Sequence, residues 1–267
     1  MRTVLESIYR GLRPRILHGI SPRKVGVNNK GDVTKYFDRF SEKYIISALR
    51  KRSGIRATII SEELEKPLVI NARLKTPMHY VIIDPVDGSD NYLSGVPFVC
   101  LGIAVFDERM EPLYSLAGNY YTGDCFYADR QKLLLNGKKF DANKASKSPA
   151  DIYYYAFTDT SVKMTEKFRK VFLLSSGKVR SLGATIGELI LVIKGGSRCF
   201  IDIRGKLTPE NFAPFFLIVK HTNAVFTDTS GREFRLRSKK LTDEYDVVFA
   251  NNRKQHRIFI KKLKGVL

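Results

Sequence analysis

Three acidic side chains that are able to bind a metal ion lie close together in the chain: Asp84, Asp87 and Asp90. Gathering three carboxylates in one short turn costs electrostatic repulsion unless a cation or a proton lies between them. Because no histidine or cysteine lies inside this cluster, every ligand would be an oxygen atom, which favours a hard cation, Mg2+ or Ca2+, over Zn2+. The cluster therefore predicts a metal site in which the cation offsets the repulsion.

The stretch around these aspartates also has an ordinary structural interpretation. Asp, Pro, Gly, Ser and Asn are common turn residues, so residues 84–91 equally suit a solvated connection between two strands. An EF-hand loop is excluded, because Gly88 at its sixth position would place Ile83 and Pro85 where oxygen ligands are needed, and Ser94 where a glutamate is needed. From this stretch alone, the metal site and the solvated turn both stay open.

A short run rich in valine and isoleucine leads into the cluster and predicts a strand that is buried on both faces. We expect this strand to end at Asp84 and Pro85, because proline cannot continue a ladder of hydrogen bonds. Residues 57–60 predict a second strand, which ends just before a pair of glutamates. Neighbouring strands would bring Glu62, Asp84 and Asp87 to one edge of a sheet, where open sheets commonly bind ligands.

Several segments resemble, in the same order, the signature segments of the inositol monophosphatase and fructose-1,6-bisphosphatase family. DPVDGSDN at 84–91 is similar to the family motif DPxDGTxN. The other matching segments are KGDVT at 30–34 with Asp38, SEE at 61–63, RSLGA at 180–184, DIRGKL at 202–207 and ANN at 250–252. The resemblance implies a Mg2+-dependent phosphomonoesterase, and archaeal members of the family often hydrolyse both inositol monophosphate and fructose 1,6-bisphosphate. It also implies an α/β (α+β) fold, the layered αβαβα sandwich of the sugar phosphatases.

The resemblance also implies how the metal ions are held. Glu62, Asp84, Asp87 and the backbone carbonyl of Val86 would bind Mg2+ ions, which neutralise phosphate charge and lower the pKa of bound water. Family members hold two or three such ions. One ligand position departs from the family pattern, because Asn211 stands where relatives carry the last metal-binding aspartate. An amide oxygen can coordinate a cation but adds no negative charge, so we expect the second metal to bind more weakly.

The remaining roles implied by the resemblance concern water and phosphate. Asp38 and Ser89 would form the dyad that orients and deprotonates the attacking water, with Ser89 standing where relatives have threonine. Glu63 would steer the neighbouring ligands without binding metal itself. The backbone amides of Gly88 and Ser89 would receive the phosphate oxygens.

Substrate selection is assigned by the resemblance to Asp202 and Arg204, which align with the family's substrate-facing segment. Arg204 would reach a second phosphate group and so favour fructose bisphosphate. As an alternative, the two side chains would form a surface ion pair without contacting substrate.

The bulk properties of the chain limit its partners and location. A net charge of +19 attracts anions, either sugar phosphates or nucleic acid. We favour a third interpretation, the Lys/Arg-rich surface of a thermophile, since neither an RNA-binding aromatic motif nor a zinc module accompanies the charge. Widely spaced cysteines without a CxxC pattern predict buried thiols in a reducing compartment. The N-terminal segment resembles neither a signal peptide nor a membrane span, so we expect a cytoplasmic protein without membrane partners.

Periodic apolar residues predict the elements that position these groups. Residues 34–53 predict an amphipathic helix that carries Asp38 in its first turns. Further helices are predicted at 162–172, 184–194, 209–221 and 252–263, with Thr208 capping the helix at 209–221. Asn136 and Gly137 predict a hairpin. We expect one compact unit, in which a half at 1–150 carries the motif and a half at 151–267 completes the site.

The expected function is hydrolysis of a small phosphorylated metabolite, inositol 1-phosphate, fructose 1,6-bisphosphate or both, by a metal-activated water. The protein is expected to be a homodimer, as relatives commonly are. Two alternatives stay open. One is a catalytically weakened family member that binds RNA or protein, which Asn211 and the basic charge favour, although nucleic acid is not the partner we prefer. The other is a phosphatase of adenosine 3',5'-bisphosphate, a more highly charged substrate that a basic surface would attract.

Overall fold

The computed structural model describes residues 1–27, 33–144, 152–155, 166, 168–169, 177–234, 236 and 243–265. The described α-helices are α1 (Arg2–His18), α2 (Tyr36–Arg52), α3 (Ser89–Leu93), α4 (Thr185–Ile193), α5 (Phe215–Ile218) and α6 (Arg253–Leu263). The described strands are β1 (Lys24–Val27), β2 (Val33–Lys35), β3 (Arg56–Ser61), β4 (Leu68–Ile70), β5 (Met78–Asp87), β6 (Cys100–Phe106), β7 (Pro112–Asn119), β8 (Cys125–Asp129), β9 (Leu133–Leu135), β10 (Lys138–Lys139), β11 (Ile152–Tyr155), β12 (Lys178–Arg180), β13 (Cys199–Leu207), β14 (Val225–Thr227) and β15 (Tyr245–Ala250).

Helices and sheets alternate in layers. Helices α1 and α2 pack together on one face of an eight-stranded sheet with the order β10-β9-β8-β7-β6-β5-β3-β4. Helices α4 and α5 lie between this sheet and a five-stranded sheet with the order β12-β11-β13-β15-β14, and their apolar side chains form one core with both sheets. Helix α6 covers the far face of the five-stranded sheet. This arrangement confirms the αβαβα sandwich.

Helix α1 is an element that the sequence patterns above do not predict. Its apolar residues recur at helical spacing, so that one face packs into the core against the eight-stranded sheet. Two polar side chains on α1 fasten it to the end of β7: the Tyr9 hydroxyl donates to the Asn119 carbonyl at 2.6 Å, and Arg13 Nε donates to the Tyr120 carbonyl at 2.7 Å. Helix α1 is therefore an integral part of the outer layer.

The elements that carry the motif follow the sequence prediction with one correction. Helix α2 and strand β3 form where predicted, but β5 continues through Pro85 to Asp87, so the prediction that this strand ends at Asp84 and Pro85 is wrong. A bulge explains the difference: Asp84 pairs with Gly102 and Asp87 with Cys100, which leaves two residues opposite one. Because Pro85 lies in the bulge, its missing N–H costs no ladder hydrogen bond.

The predicted helix over residues 209–221 is also wrong as a single element. The segment folds as a 3-10 turn (Pro209–Asn211), the short helix α5 and a second 3-10 turn (Val219–His221). The break falls at Phe212, whose φ of −137° is not helical. Its fully buried ring packs against four other aromatic rings. Aromatic packing therefore overrides the helical pattern here, and Thr208 is the N-cap of the 3-10 turn alone and not of a longer helix.

Other predictions of local structure are confirmed where the chain is described. The hairpin at Asn136 and Gly137 forms with positive φ at both residues, 50° and 78°, as a tight two-residue turn requires. Helices α4 and α6 form where expected. The predicted helix at 162–172 lies mostly outside the described residues, and so does the boundary between the two halves, which therefore stays a prediction.

Two further observations concern the cysteines and the hydropathy of the helices. All three cysteines are free and buried. Within the described part of the chain, every helix is too short or too polar to cross a membrane.

Candidate active site

The candidate site lies at one edge of the eight-stranded sheet, beyond the ends of two parallel strands. Strands β3 and β5 pair in parallel, with Ser61 opposite Ile83. Parallel pairing places the carboxyl ends of both strands together. Glu62 and Glu63 follow β3 directly, while Asp84 and Asp87 end β5. The structure therefore brings the predicted acids from two separate segments to one edge, as neighbouring strands were expected to do.

Asp38 faces this edge from the start of α2. The backbone N–H of Lys35 donates to Asp38 Oδ2 at 3.1 Å, so the carboxylate also caps the helix. Burial raises the pKa of Asp38 to about 8, and the carboxylates of Glu63 and Glu62 raise it as well. A pKa near neutral suits a group that accepts a proton during catalysis. The electrostatic coupling also places Asp38 close to the paired glutamates.

Glu42 is an acidic residue near the site that the sequence analysis missed. It is buried on α2, four positions after Asp38 and therefore on the same helical face. Burial raises the pKa of Glu42 to about 7, and the nearby carboxylate of Glu63 raises it too. The spacing of Asp38 and Glu42 on a helix otherwise lined by apolar residues is the sequence signal that would have found it.

Asp84 is held by two hydrogen bonds of different kinds. Its Oδ1 atom accepts the backbone N–H of Val86 at 3.2 Å, which stabilises the bulge. Its Oδ2 atom accepts the side-chain amide of Asn211 at 3.1 Å, across a separation of 127 residues. The structure thus brings Asn211 to the site, with its side-chain nitrogen directed at Asp84.

Asp87 forms the end of β5 and the cap of α4 at the same time. Its Oδ1 atom accepts the N–H of Thr185 at 3.1 Å, and its Oδ2 atom accepts the N–H of Ile186 at 2.7 Å. Burial raises the pKa of Asp87 to about 7, the Glu62 carboxylate adds to this, and the helix amides oppose it. Sequence reasoning missed this link to α4, because nothing local in the motif indicates a partner so far along the chain.

The turn after Asp87 depends on a glycine. Gly88 has φ of +86°, which L side chains rarely adopt. A Cβ atom there would lie 2.9 Å from the Cβ of Ala184 and 3.0 Å from the carbonyl oxygen of Phe98. Ser89 then begins the short helix α3. Asn91 on that helix donates to the carbonyls of Phe98 and Leu182 at 2.9 and 2.7 Å, which fixes the turn against the segment before α4.

Asp202 and Arg204 form a two-point ion pair on β13. Arg204 Nη2 lies 2.6 Å from Asp202 Oδ2, and Arg204 Nε lies 3.0 Å from Asp202 Oδ1. The pair differs from the predicted surface pair, because the Asp202 side chain is 0% exposed and that of Arg204 only 14%. The guanidinium is engaged by Asp202 in this conformation, and contact of Arg204 with a substrate phosphate stays a prediction.

The donor set is of the right chemistry for a hard cation. Carboxylates supply oxygen ligands only, and positive charge near Asp38 and Asp87, whose pKa values are raised, would favour their ionised forms at neutral pH. In the described part of the chain, however, the side chains do not form a group of three His, Cys, Asp or Glu that could hold a metal ion. The ligand set of Glu62, Asp84, Val86, Asp87 and Asn211 therefore stays a prediction.

Comparisons with known proteins show the family of this chain. A model of the inositol monophosphatase family matches residues 3–266. A fructose-1,6-bisphosphatase/inositol-1-monophosphatase of Methanocaldococcus jannaschii is 30% identical over 240 residues, which cover 90% of this chain and 88% of that protein. A protein of the same name from Thermococcus kodakarensis is 28% identical over 231 residues, or 86% of this chain and 82% of that protein.

Similarity in three dimensions extends over nearly the whole chain. The crystal structure of an inositol monophosphatase-fructose 1,6-bisphosphatase has a TM-score of 0.77 and 27% sequence identity, and the match covers 98% of both chains. The segments that carry the resemblance in the sequence thus lie on the same fold. The chain belongs to the inositol monophosphatase family, a family of phosphoric monoester hydrolases.

Proposed function

We propose that this protein is a Mg2+-dependent phosphomonoesterase that hydrolyses a small phosphorylated metabolite, inositol 1-phosphate, fructose 1,6-bisphosphate or both. The observation that carries the proposal is the parallel pairing of β3 and β5, which gathers Glu62, Glu63, Asp84 and Asp87 at one sheet edge beside Asp38. The family and the names of the relatives support the same reaction.

Each residue has a defined task in this proposal. Glu62, Asp84, Asp87 and the Val86 carbonyl would hold the cation, which would offset phosphate charge and lower the pKa of a bound water. Asp38 takes the proton of the attacking water, and burial, which raises its pKa to about 8, makes it a stronger base than an exposed aspartate. The hydroxyl of Ser89 orients the same water.

Phosphate binding and metal stoichiometry complete the proposal. The backbone amides of Gly88 and Ser89 would receive the phosphate oxygens, and Glu63 would steer the neighbouring ligands. The second of the two or three cation sites usual in the family is weakened here, because Asn211 adds no negative charge. Arg204 selects a bisphosphate by exchanging Asp202 for a second phosphate group.

We also propose a homodimer located in the cytoplasm. Leu93 and Val96, just after the motif, expose 42% and 41% of their surface, which suits an apolar contact between copies. Sedimentation velocity of the native protein and of Val96→Asp tests this part, because only the native protein should sediment as a dimer.

Phosphate release tests the function itself. The native protein should release phosphate from inositol 1-phosphate or fructose 1,6-bisphosphate in Mg2+ and lose this activity in EDTA. Ser89→Ala should reduce kcat by about 100-fold or more, whereas Ser94→Ala, an exposed serine on the same loop, should leave it unchanged. Release only from adenosine 3',5'-bisphosphate would replace the proposed substrate. Silence with every substrate, together with salt-sensitive RNA retention, would favour the binding protein instead.

A further inference from the structure

The orientation of the Asn211 side chain bears on how many cations the site holds. Its nitrogen donates to Asp84 Oδ2 at 3.1 Å. Its oxygen accepts the backbone N–H of Thr208 at 3.4 Å and lies 3.2 Å from the Thr208 hydroxyl. The amide therefore bridges the motif strand and the turn at Pro209–Asn211, with a distinct partner at each end.

The contacts with Asp84 and with Thr208 require the same orientation of the Asn211 amide. A backbone N–H can only donate a hydrogen bond, and an ionised carboxylate can only accept one. A rotated amide would place its oxygen against the Asp84 carboxylate and its nitrogen against the Thr208 N–H, so both contacts would become repulsive. Two repulsive contacts in place of two hydrogen bonds would destabilise the rotated amide. The oxygen of Asn211 is thus held away from Asp84 and from a cation that Asp84 would bind.

We propose that Asn211 is a hydrogen-bond donor and not a metal ligand. Its side-chain amide takes the place of a divalent cation at Asp84 Oδ2. The proposal rests on the metal centre of the proposed function and changes its expected stoichiometry. The amide hydrogens carry the partial positive charge that Asp84 Oδ2 faces, and the hydrogen bonds of Thr208 with the amide oxygen keep them in this orientation. This chain therefore binds one cation fewer than it would with an acid at position 211.

Mn2+ binding tests the proposal without requiring any enzymatic activity. The bound ions are counted by isothermal titration calorimetry and by the Mn2+ electron paramagnetic resonance signal. Asn211→Asp should bind one more Mn2+ per chain than the native protein. Asn223→Asp is the matched control, because it adds the same charge at an exposed asparagine outside the site, and it should bind as the native protein does.

Asn211→Ala shows whether the Asn211 side chain acts as a hydrogen-bond donor or as a metal ligand. It also tests the proposal if Asn211→Asp does not fold. It removes the amide without adding charge, so Asp84 Oδ2 loses this competing donor and Mn2+ should bind as tightly as in the native protein or up to about tenfold more tightly. Weaker Mn2+ binding by Asn211→Ala would overturn the proposal, since it would mean that the amide oxygen is a ligand. Equal stoichiometry in the native protein and a folded Asn211→Asp would overturn it as well.

The outcome for the proposed function is read separately. Mn2+ binding to the native protein that is lost in a folded Glu62→Gln variant supports the metal centre, whatever Asn211 does. Failure of the native protein and both Asn211 variants to bind Mn2+ overturns the metal centre and this proposal together.

Discussion

The carboxylate of Asp87, at the end of β5, accepts the backbone N–H of Ile186 at 2.7 Å, although 99 positions separate the two residues. The other oxygen of Asp87 accepts the N–H of Thr185 at 3.1 Å. The first turn of α4 is thus capped by the motif and not by a residue of its own segment. The end of β5 and the start of α4 are held by the same carboxylate, so a substitution of Asp87 affects both elements.

The first prediction compares the stability of two variants of Asp87, one with alanine and one with asparagine at this position. Asp87→Ala leaves two helix amides without their acceptor, which should lower the free energy of unfolding by about 1 to 2 kcal/mol relative to Asp87→Asn. Asp87→Asn keeps an acceptor for only one of the two amides, so we expect its loss of stability in the absence of metal to be smaller than that of Asp87→Ala. Urea denaturation in EDTA measures both. Equal stability of the two variants would contradict the capping role.

The second prediction concerns pH in the absence of divalent cations. Burial and the carboxylates of Glu63 and Glu62 raise the pKa of Asp38 to about 8, and burial together with Glu62 raises that of Asp87 to about 7. Between about pH 4 and pH 8, the folded chain keeps protons that the unfolded chain has released. The free energy of unfolding in EDTA should therefore fall as the pH rises through this range.

Urea denaturation at a series of pH values measures this fall. Asp38→Asn should make it shallower, because one of the protons no longer dissociates, whereas Asp90→Asn, at an exposed position, should leave the slope unchanged. Saturating Mg2+ should flatten the curve, because a cation favours the ionised carboxylates. A stability that rises with pH in EDTA would contradict the raised pKa values.

The third prediction separates crowding from backbone strain at the motif turn. Gly88→Ala meets both a positive φ of 86° and two atoms at 2.9 and 3.0 Å. Gly95→Ala meets a positive φ of 71° in open space. Strain alone costs about 1 kcal/mol, so Gly95→Ala should lose about that much and Gly88→Ala clearly more. Thermal unfolding measures the difference, and equal losses would mean that the turn relaxes around the added methyl group.

The fourth prediction tests the buried pair of Asp202 and Arg204. Arg204→Met removes the guanidinium from a fully buried carboxylate, which should lower the free energy of unfolding by about 3 kcal/mol. Asp202→Asn together with Arg204→Met should recover most of this loss, because no buried charge is left. A double-mutant cycle from urea denaturation gives the coupling energy. Coupling near zero would mean that the pair does not stabilise the fold.

Local patterns predicted much of the fold correctly, for identifiable physical reasons. The apolar period of α2 and the two-residue turn at Asn136 and Gly137 depend on neighbours in sequence, so they can be recognised from sequence alone. The end of β5 could not be predicted, because Pro85 is tolerated only through a bulge that its partner strand β6 creates. The break at Phe212 likewise depends on aromatic rings contributed by distant segments.

For the candidate site, too, some features could be predicted from the sequence and others could not. The ordered motifs located Asp38, Glu62, Asp84 and Asp87, and the fold brings these segments to one sheet edge. The orientation of Asn211 could not be predicted, because it follows from contacts with Asp84 and Thr208 that exist only in the folded chain.

The fastening of α1 to the end of β7 has a consequence for synthesis in the cell. Tyr9 and Arg13 find their acceptors at Asn119 and Tyr120, more than 100 residues later in the chain. During translation, α1 therefore leaves the ribosome long before its docking surface exists, with the apolar face that is buried in the finished protein open to solvent. Until β7 has emerged, this helix is a ready binding site for chaperones that hold nascent chains.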